Sequence, residues 1–208
     1  MRGVFITFEG GEGAGKTTQI SLLDGYLQSK GISVACARDP GTTKLAEKVR
    51  GILKEVDGVE ISIKTETLLY LAARAQLVDE YILPKLDAGE VVLCDRFADS
   101  TMAYQGFGGE LNLANLDQLC TMAASGLMPD LTFYLKLSPE DGLKRKSAQG
   151  LLDRMEQKGL NYHKKVHDGY DYLAQNDRSG RIVTIDAAQT AEKIHSIIKT
   201  NVDKLLNI

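Results

Sequence analysis

Short apolar runs recur along the 208-residue chain, and each is nearly continuous instead of alternating with polar residues. Such runs are typical of parallel strands that are covered on both faces. Stretches with helical spacing of apolar residues separate them. We therefore predict an α/β fold, a doubly wound, five-stranded parallel sheet flanked by helices. The predicted strands are Val4–Phe8, Ile32–Ala37, Val91–Cys94, Leu131–Leu137 and Arg181–Ile185.

Three helices are marked by apolar stripes between these strands. The stripes are Ile20, Leu23 and Leu27; Leu45, Val49, Ile52 and Val56; and Leu68, Leu71, Ala75, Val78 and Ile82. Thr42 and Thr43 precede the second stripe as candidate N-caps, and Ser138-Pro139 predicts the start of a further helix. The sequence shows no internal repeat and no linker, so we expect a single domain over residues 1–208.

Composition narrows the class of protein. Acidic residues slightly outnumber basic ones, giving a net charge of -3, so broad affinity for nucleic acid is not expected. The N-terminal residues lead into an apolar strand without a signal-peptide pattern, and no apolar run is long enough to span a membrane. Three widely spaced cysteines favour reduced thiols, with Cys36 and Cys94 buried in strands. We expect a cytoplasmic protein.

A phosphate-binding loop directly follows the first predicted strand. Residues 10–17, Gly-Gly-Glu-Gly-Ala-Gly-Lys-Thr, match the pattern G-x-x-x-x-G-K-[ST]. Its backbone N–H groups and the following helix N-terminus suit a phosphate, Lys16 would reach the β and γ phosphates, and Thr17 would bind Mg²⁺. The alternative is a flexible glycine-rich turn. The predicted ATP-binding residues are Gly10, Gly11, Glu12, Gly13, Ala14, Gly15, Lys16, Thr17 and Thr18.

Asp95 ends the third predicted strand, where a carboxylate can hold Mg²⁺ beside a phosphate loop. The base-reading string Asn-Lys-x-Asp of GTPases does not occur in the chain, which favours a small kinase with a second anion site for the acceptor. Arg96 follows Asp95 directly and suits a phosphate because its planar fork donates two hydrogen bonds. The alternative for Arg96 is a salt bridge to a neighbouring carboxylate.

Tyr70 and Arg74 lie one helical turn apart, so an aromatic ring and a five-donor fork can face the same nucleobase. The alternative is a buried Arg–Asp pair with Tyr70 in the core. Hydroxyl and amide side chains between Ser100 and Gly106 can read the edge of a pyrimidine from a loop, although many loops of this composition are surface turns. His163 and His167 lie four apart on a predicted helix, where we expect a solvent-facing surface and no metal.

These residues resemble the thymidylate kinase family, in its bacterial branch, over nearly the whole chain. The stretches that carry the resemblance include 8–10, 12–17, 39–41, 45–50, 72–74, 95–97, 99–101, 103–106, 129–132, 142–145 and 152–154. The resemblance implies a P-loop nucleoside triphosphate hydrolase fold. It also implies transfer of the γ-phosphoryl group of ATP to dTMP, with Mg²⁺ as cofactor, in a homodimer that supplies DNA precursors.

The resemblance also implies roles for individual residues. Glu12 would bond the 3′-hydroxyl of the acceptor, Tyr70 would stack on thymine, and Tyr104 would crowd the 2′ position. The base would be bound by Arg74 and Gln105 with Thr101 nearby, and the acceptor phosphate by Arg50 and Arg96. Asp39 stands where relatives commonly have Glu, and Thr42 where they have Gly, so the role of Asp39 is the least direct of these assignments.

A short lid at about 144–156 would supply positive charge to the transferring phosphoryl group. Ser147 and Gln149 occupy positions that are arginine in some relatives. Arg145, Lys146 and Arg154 remain as sources of the charge, and the sequence leaves the choice among them open. Two other functions also remain open. The chain could be another nucleotide or nucleoside kinase, such as a deoxynucleoside, guanylate or cytidylate kinase, or a nucleotide-binding switch or partition protein without an acceptor.

Overall fold

A computed structural model describes residues 2–56, 58–148, 150 and 153–208. Within them, five strands form one parallel sheet in the order β2-β3-β1-β4-β5. The strands are β1 (Phe5–Glu9), β2 (Val34–Arg38), β3 (Val91–Asp95), β4 (Leu131–Lys136) and β5 (Ile182–Asp186). From β1 the chain passes to the edge strand β2, returns to β3 between them, and then crosses to β4 and β5 on the other side of β1. The carboxyl end of β1 therefore lies at the point where the strand order reverses. In open α/β sheets this is where ligands bind.

Helices connect the strands and cover both faces of the sheet. They are α1 (Lys16–Ser29), α2 (Lys44–Lys54), α3 (Ile63–Leu77), α4 (Leu83–Asp87), α5 (Ala98–Thr101), α6 (Leu113–Ala123), α7 (Pro139–Ser147), α8 (Leu160–Gln175) and α9 (Ala191–Leu206). A π-helical turn, Val78–Ile82, joins α3 to α4, and a second, Met102–Gly108, extends α5. None of the described helices is long and apolar enough to cross a membrane.

The core has one layer on each side of the sheet. Ile6 and Phe8 of β1 pack with Leu23 of α1 and Ile198 of α9. Phe5 points to the opposite face, where it joins a second cluster that includes Leu77, Val78 and Ile82. Full burial of a side chain of this size stabilises the fold by about 1.5–3 kcal/mol. The predicted α/β fold and its five parallel strands are confirmed, with strand boundaries within two residues of those predicted.

The edges of the sheet differ from the prediction. Strand β2 buries only alternate residues, and Cys36 is exposed, so the prediction of a buried thiol there is wrong. Strand β5 is also partly exposed. Both are edge strands, with a neighbour on one side only and less cover from helices. Cys94 lies on the central strand β3 and is buried as predicted.

The prediction that Leu45, Val49, Ile52 and Val56 form the buried face of the second helix is also wrong. Helix α2 buries Ala46 and Leu53, whereas Leu45 and Ile52 are half exposed, and Val56 lies beyond the helix end. The N-cap residue of α2 is Thr43. Its backbone is extended, and its side chain accepts a hydrogen bond from Ala46 N, as is typical of an N-cap threonine. Ser138 caps α7 in the same way, with Pro139 following it as predicted.

The structure also corrects the predictions for residues 100–106 and for His163. The segment around Ser100–Gly106 is helical, not a loop. His163 is buried on α8, so the prediction of a solvent-facing surface is wrong for this residue. Three residues of the lid lie outside the described part of the chain: Gln149, Leu151 and Leu152. The difference from relatives at position 149, where some have arginine, therefore stays a sequence observation.

Candidate active site

A cavity of about 330 Å³ opens at the carboxyl ends of β1, β2 and β3. Both the glycine-rich loop and the arginine-rich acceptor side line it, so Lys16 and Arg96 share one cavity. The sequence-predicted residues that line it are Glu12, Gly13, Ala14, Gly15, Lys16, Thr17, Thr18, Asp39, Arg50, Tyr70, Arg74, Asp95, Arg96, Thr101, Tyr104 and Gln105. Gly10, Gly11, Arg145 and Arg154 lie outside its lining.

The glycine-rich loop follows β1 and turns into α1. Gly10 has a φ of 135°, and a Cβ there would lie 2.4 Å from the Leu135 carbonyl oxygen, so glycine is required at this position. Lys16 Nζ donates to the carbonyl oxygens of Gly10 at 3.1 Å and Gly11 at 2.9 Å. Burial lowers the pKa of Lys16 to about 8. The ammonium group therefore lies inside the curve of the loop, where it can meet a phosphate together with the N-terminus of α1.

Thr17 and Asp95 form the predicted metal position. Thr17 Oγ1 donates to Asp95 Oδ2 at 3.3 Å. The second carboxylate oxygen, Asp95 Oδ1, is buried and has no hydrogen-bond partner among the described residues. No cluster of three or more His, Cys, Asp or Glu residues that could hold a metal is found in the described part of the chain. A hydroxyl and one carboxylate fit Mg²⁺, which takes few protein ligands when phosphate and water complete its octahedron.

Arg96 is held over the glycine-rich loop by contacts on all sides. Its backbone has a φ of 69°, a left-handed conformation that is uncommon outside glycine. Nη1 donates to the Gly10 carbonyl at 3.0 Å, and Nη2 donates to Glu12 Oε1 at 2.8 Å. The Tyr104 ring lies 4.8 Å from the guanidinium carbon, within cation–π range. The alternative assignment, a salt bridge to a carboxylate, is therefore formed in this structure.

Glu12 is the carboxylate partner of Arg96. Burial disfavours its charge, but Arg96 and Lys16 outweigh burial and hold the pKa of Glu12 at about 2. Tyr104 also donates from its hydroxyl to Glu12 Oε1 at 2.7 Å. Glu12 is thus a negative charge in the cavity lining that both Arg96 and Lys16 stabilise.

Arg74 is nearly fully buried at the far end of the cavity. Its Nε donates to Asp39 Oδ2 at 2.6 Å, and both side chains are only 1 % exposed. Nη2 donates to Thr101 Oγ1 at 2.8 Å and to the Phe97 carbonyl. The buried Arg–Asp pair, which the sequence left open as an alternative, is present. Tyr70 and Arg74 both line the cavity as well, so the pair and a base-facing arginine are compatible.

The three lid cations differ in what they contact. Arg145 donates to the carbonyl oxygens of Gly13 at 3.4 Å and Ala187 at 3.3 Å. Arg154 donates from Nε to the Leu53 carbonyl at 2.9 Å and pairs with Glu66 at 2.8 Å. Lys146 pairs with Glu156 at 3.2 Å and lines the cavity. Of the described lid cations, Lys146 alone faces the cavity.

Sequence reasoning missed two buried carboxylates next to the site. Glu9 ends β1 and accepts from Phe97 N at 2.7 Å and Tyr170 OH at 2.8 Å. Burial and the nearby Asp99 raise the pKa of Glu9 to about 7. Glu66 of α3 accepts from Gln105 Nε2 at 2.9 Å. For Glu9, a carboxylate at the end of an apolar strand was the available signal, since buried carboxylates are rare without partners. Glu66 lies among the polar residues Lys64, Thr65 and Thr67, and no local pattern marks it.

The comparisons with known proteins agree with this geometry. The family model described as Thymidylate kinase matches residues 8–198. The chain is 43 % identical over 206 residues to the thymidylate kinase of Thermoanaerobacter sp. (strain X514), covering 99 % of this chain and 100 % of that protein. It is 45 % identical to the thymidylate kinase of Gloeobacter violaceus, covering 98 % and 96 %, and 46 % identical to that of Prosthecochloris aestuarii, covering 92 % and 89 %. The chain belongs to the thymidylate kinase family.

Proposed function

We propose that this chain is an ATP-dependent thymidylate kinase, which transfers the γ-phosphoryl group of ATP to dTMP and gives dTDP and ADP. The observation that carries the proposal is that residues 12–17 of the phosphate-binding loop and Arg96 line one shared cavity. Donor and acceptor phosphates can then meet tail to tail, as direct transfer requires. The enzyme acts as one domain over residues 1–208, with the lid at 144–156.

On the donor side, residues 10–18 bind the phosphates of ATP, and Lys16 contacts the β and γ phosphates. Thr17 and Asp95 would hold Mg²⁺, which would neutralise charge on the phosphate oxygens. Asp95→Asn should raise the Mg²⁺ concentration needed for half-maximal activity, because it removes the carboxylate charge and leaves the shape unchanged. An unchanged Mg²⁺ requirement would contradict this assignment.

On the acceptor side, Arg50 and Arg96 bind the phosphate of dTMP, and Glu12 accepts a hydrogen bond from the 3′-hydroxyl. Arg50 lines the cavity while its Nη1 donates to the Pro40 carbonyl at 2.9 Å, which orients the rest of its fork. Tyr104 lies against Glu12 and Arg96, where it excludes a 2′-hydroxyl. The pocket therefore prefers a deoxyribose.

The base lies between Tyr70, on which it stacks, and the polar end of the cavity. Arg74 donates to a carbonyl oxygen of thymine, Gln105 contacts the ring N–H, and Thr101 lies beside them. Asp39 acts on the substrate through Arg74, whose fork it fixes at 2.6 Å.

The mechanism needs no side-chain nucleophile. An oxygen of the dTMP phosphate attacks the γ phosphorus in line, and the protein positions both groups and neutralises charge. Arg96 aligns the acceptor, Lys16 stabilises the bridging oxygens, and Lys146 adds the lid's positive charge. Closure of the lid excludes water, which would otherwise compete with dTMP as acceptor. Arg145 lies outside the cavity lining and instead ties the phosphate-binding loop to Ala187 through the carbonyl oxygens of Gly13 and Ala187.

The test is a screen of dTMP, dCMP, dGMP and dAMP as acceptors with ATP as donor. We expect dTMP to give the highest kcat/KM by a wide margin, with dTDP as product. Preference for another acceptor would assign the chain to a different nucleotide kinase. Nucleotide binding without any transfer would favour the switch or partition class.

We also propose that the protein acts as a homodimer in the cytoplasm, without binding nucleic acid. Support comes from exposed apolar side chains on three helices that pack side by side, α2, α3 and α6. These side chains are Leu45, Ile52, Leu68, Leu119 and Met122, and all are at least 37 % exposed. Light scattering should give twice the mass of one chain, and Leu68→Asp should reduce it to one. A monomeric parent protein would contradict the proposal.

A further inference from the structure

Glu66 is a fully buried carboxylate that lies behind the cavity wall and does not line it. Lys158 Nζ donates to both of its oxygens, at 2.9 and 2.8 Å, and Arg154 Nη2 lies 2.8 Å from Oε2. Two cations therefore compensate its charge, as a buried carboxylate requires. They fix Glu66 in place from the side of the lid.

Gln105 stands between Glu66 and the cavity. Its Nε2 donates to Glu66 Oε1 at 2.9 Å, and Gln105 lines the cavity while being only 2 % exposed. A carboxylate accepts hydrogen bonds and cannot donate them, so the amide of Gln105 must turn its NH₂ group towards Glu66. Its carbonyl oxygen receives no hydrogen bond from the described residues. The oxygen is therefore the group that Gln105 offers to a ligand.

Arg74 lines the same cavity as Gln105 and offers hydrogen-bond donors where Gln105 offers an acceptor. The Arg74 guanidinium has only donors, and it is held by Asp39 and Thr101. A donor from Arg74 and an acceptor from Gln105 together match an imide edge, where a carbonyl oxygen adjoins a ring N–H. Thymine and uracil have this edge. Cytosine has the reverse, with an amino group and a ring nitrogen that accepts.

We infer that Glu66 is a positioning residue for base selectivity. Resting on the proposed function, the inference is that Glu66 locks the Gln105 amide in the orientation that accepts from an imide N–H and thereby excludes cytosine. Without the carboxylate, the amide of Gln105 can turn and donate to the ring nitrogen of cytosine. Glu66 does not line the cavity, so its hydrogen bond to Gln105 is the route by which it sets the orientation of a group that meets the base.

The experiment compares kcat/KM for dTMP, dUMP and dCMP in Glu66→Gln and in the parent protein. The ratio of dTMP to dCMP should fall on the order of tenfold, because one buried polar mismatch is removed. The ratio of dTMP to dUMP should stay unchanged, since both bases have the imide edge. KM for ATP should also stay unchanged.

Two further variants separate orientation from folding. Lys158→Gln removes one cation of the cluster but keeps the Glu66 carboxylate, which Arg154 still holds and which still accepts from Gln105, so the dTMP to dCMP ratio should stay unchanged. Glu66→Gln combined with Lys158→Gln removes the buried carboxylate together with one of its two cations, so this double variant carries the test if the single variant does not fold. In a Gln105→Ala background, Glu66→Gln should cause no further loss of selectivity.

A dTMP to dCMP ratio that stays at the parent value in the folded Glu66 variants would overturn the inference. So would an equal fall of the dTMP to dCMP and dTMP to dUMP ratios, because that indicates a general loosening of the base pocket. If the parent protein does not phosphorylate dTMP, the proposed function itself fails, and the two failures are distinguishable.

Discussion

Arg96 Nη2 donates to Glu12 Oε1 at 2.8 Å, and this pair joins the end of β3 to the middle of the phosphate-binding loop. In the proposed function Arg96 binds the acceptor phosphate and Glu12 binds the acceptor sugar, so these two residues hold each other in the substrate-free protein. Although burial disfavours its charge, Arg96 and Lys16 hold the pKa of Glu12 at about 2, so this carboxylate is ionised at neutral pH in the substrate-free protein. The pair orients the arginine before the substrate arrives, which is the usual purpose of a fixed partner in an active site.

Arg96→Lys should lower kcat/KM for dTMP about a hundredfold and leave KM for ATP nearly unchanged. Lysine keeps the charge but loses the planar fork that contacts Gly10 and Glu12 together. Steady-state kinetics with each substrate varied in turn measures the effect. An equal rise in KM for both substrates would place Arg96 outside the acceptor site.

Lys16→Ala should lower kcat by two to three orders of magnitude, about the loss seen when one preorganised charge is removed from a transition state. The matched control is Lys30→Ala, which removes an exposed lysine just beyond the same helix. Thermal unfolding should show that both variants are folded. Turnover of Lys16→Ala near the parent rate would refute the assignment of the loop.

Lys146→Met should lower kcat by one to two orders of magnitude, with smaller effects on KM, because its charge is needed mainly in the transition state. Lys144→Met is the control, since Lys144 is an exposed lysine of the same helix that does not line the cavity. If Lys146→Met retains full kcat while Arg154→Met or Arg145→Met loses it, the lid charge has been assigned to the wrong residue.

Glu9 should make stability depend on pH between about 4.5 and 7. Burial and Asp99 raise its pKa from 4.5 to about 7, so the folded protein binds a proton that the unfolded chain releases. The free energy of unfolding therefore falls as pH rises through this window. In Glu9→Gln, the fall should be smaller by about 1–3 kcal/mol.

Urea unfolding at pH 5 and pH 7.5 measures this difference, with Glu60→Gln, at an exposed site, as the control for loss of a carboxylate. Parallel losses of stability in the parent protein and in Glu9→Gln would show that Glu9 does not hold the proton.

The parts of the site that the sequence predicts are those encoded by neighbouring residues. The loop of residues 10–17 has its strand before it and its helix after it, and Asp95 ends an apolar strand. Each of these features can be recognised from a segment of about ten consecutive residues. The strands of the sheet centre were also predictable, because their apolar runs are unbroken.

The parts that the sequence does not predict depend on contacts between distant residues. Glu66 meets Gln105 across 39 positions and Lys158 across 92. No local pattern marks these pairs, so neither the orientation of Gln105 nor the tethering of Arg154 could be foreseen. The exposure of Cys36 has the same origin, since a strand's place at the sheet edge is decided by the order of all five strands.

The most direct test of the account uses ATP labelled in its γ phosphate together with dTMP. The account predicts that the label appears in dTDP, with one dTDP formed per ADP and almost no labelled inorganic phosphate. Label released as inorganic phosphate at the same rate with and without dTMP would contradict it, because donor and acceptor would then not meet in one cavity.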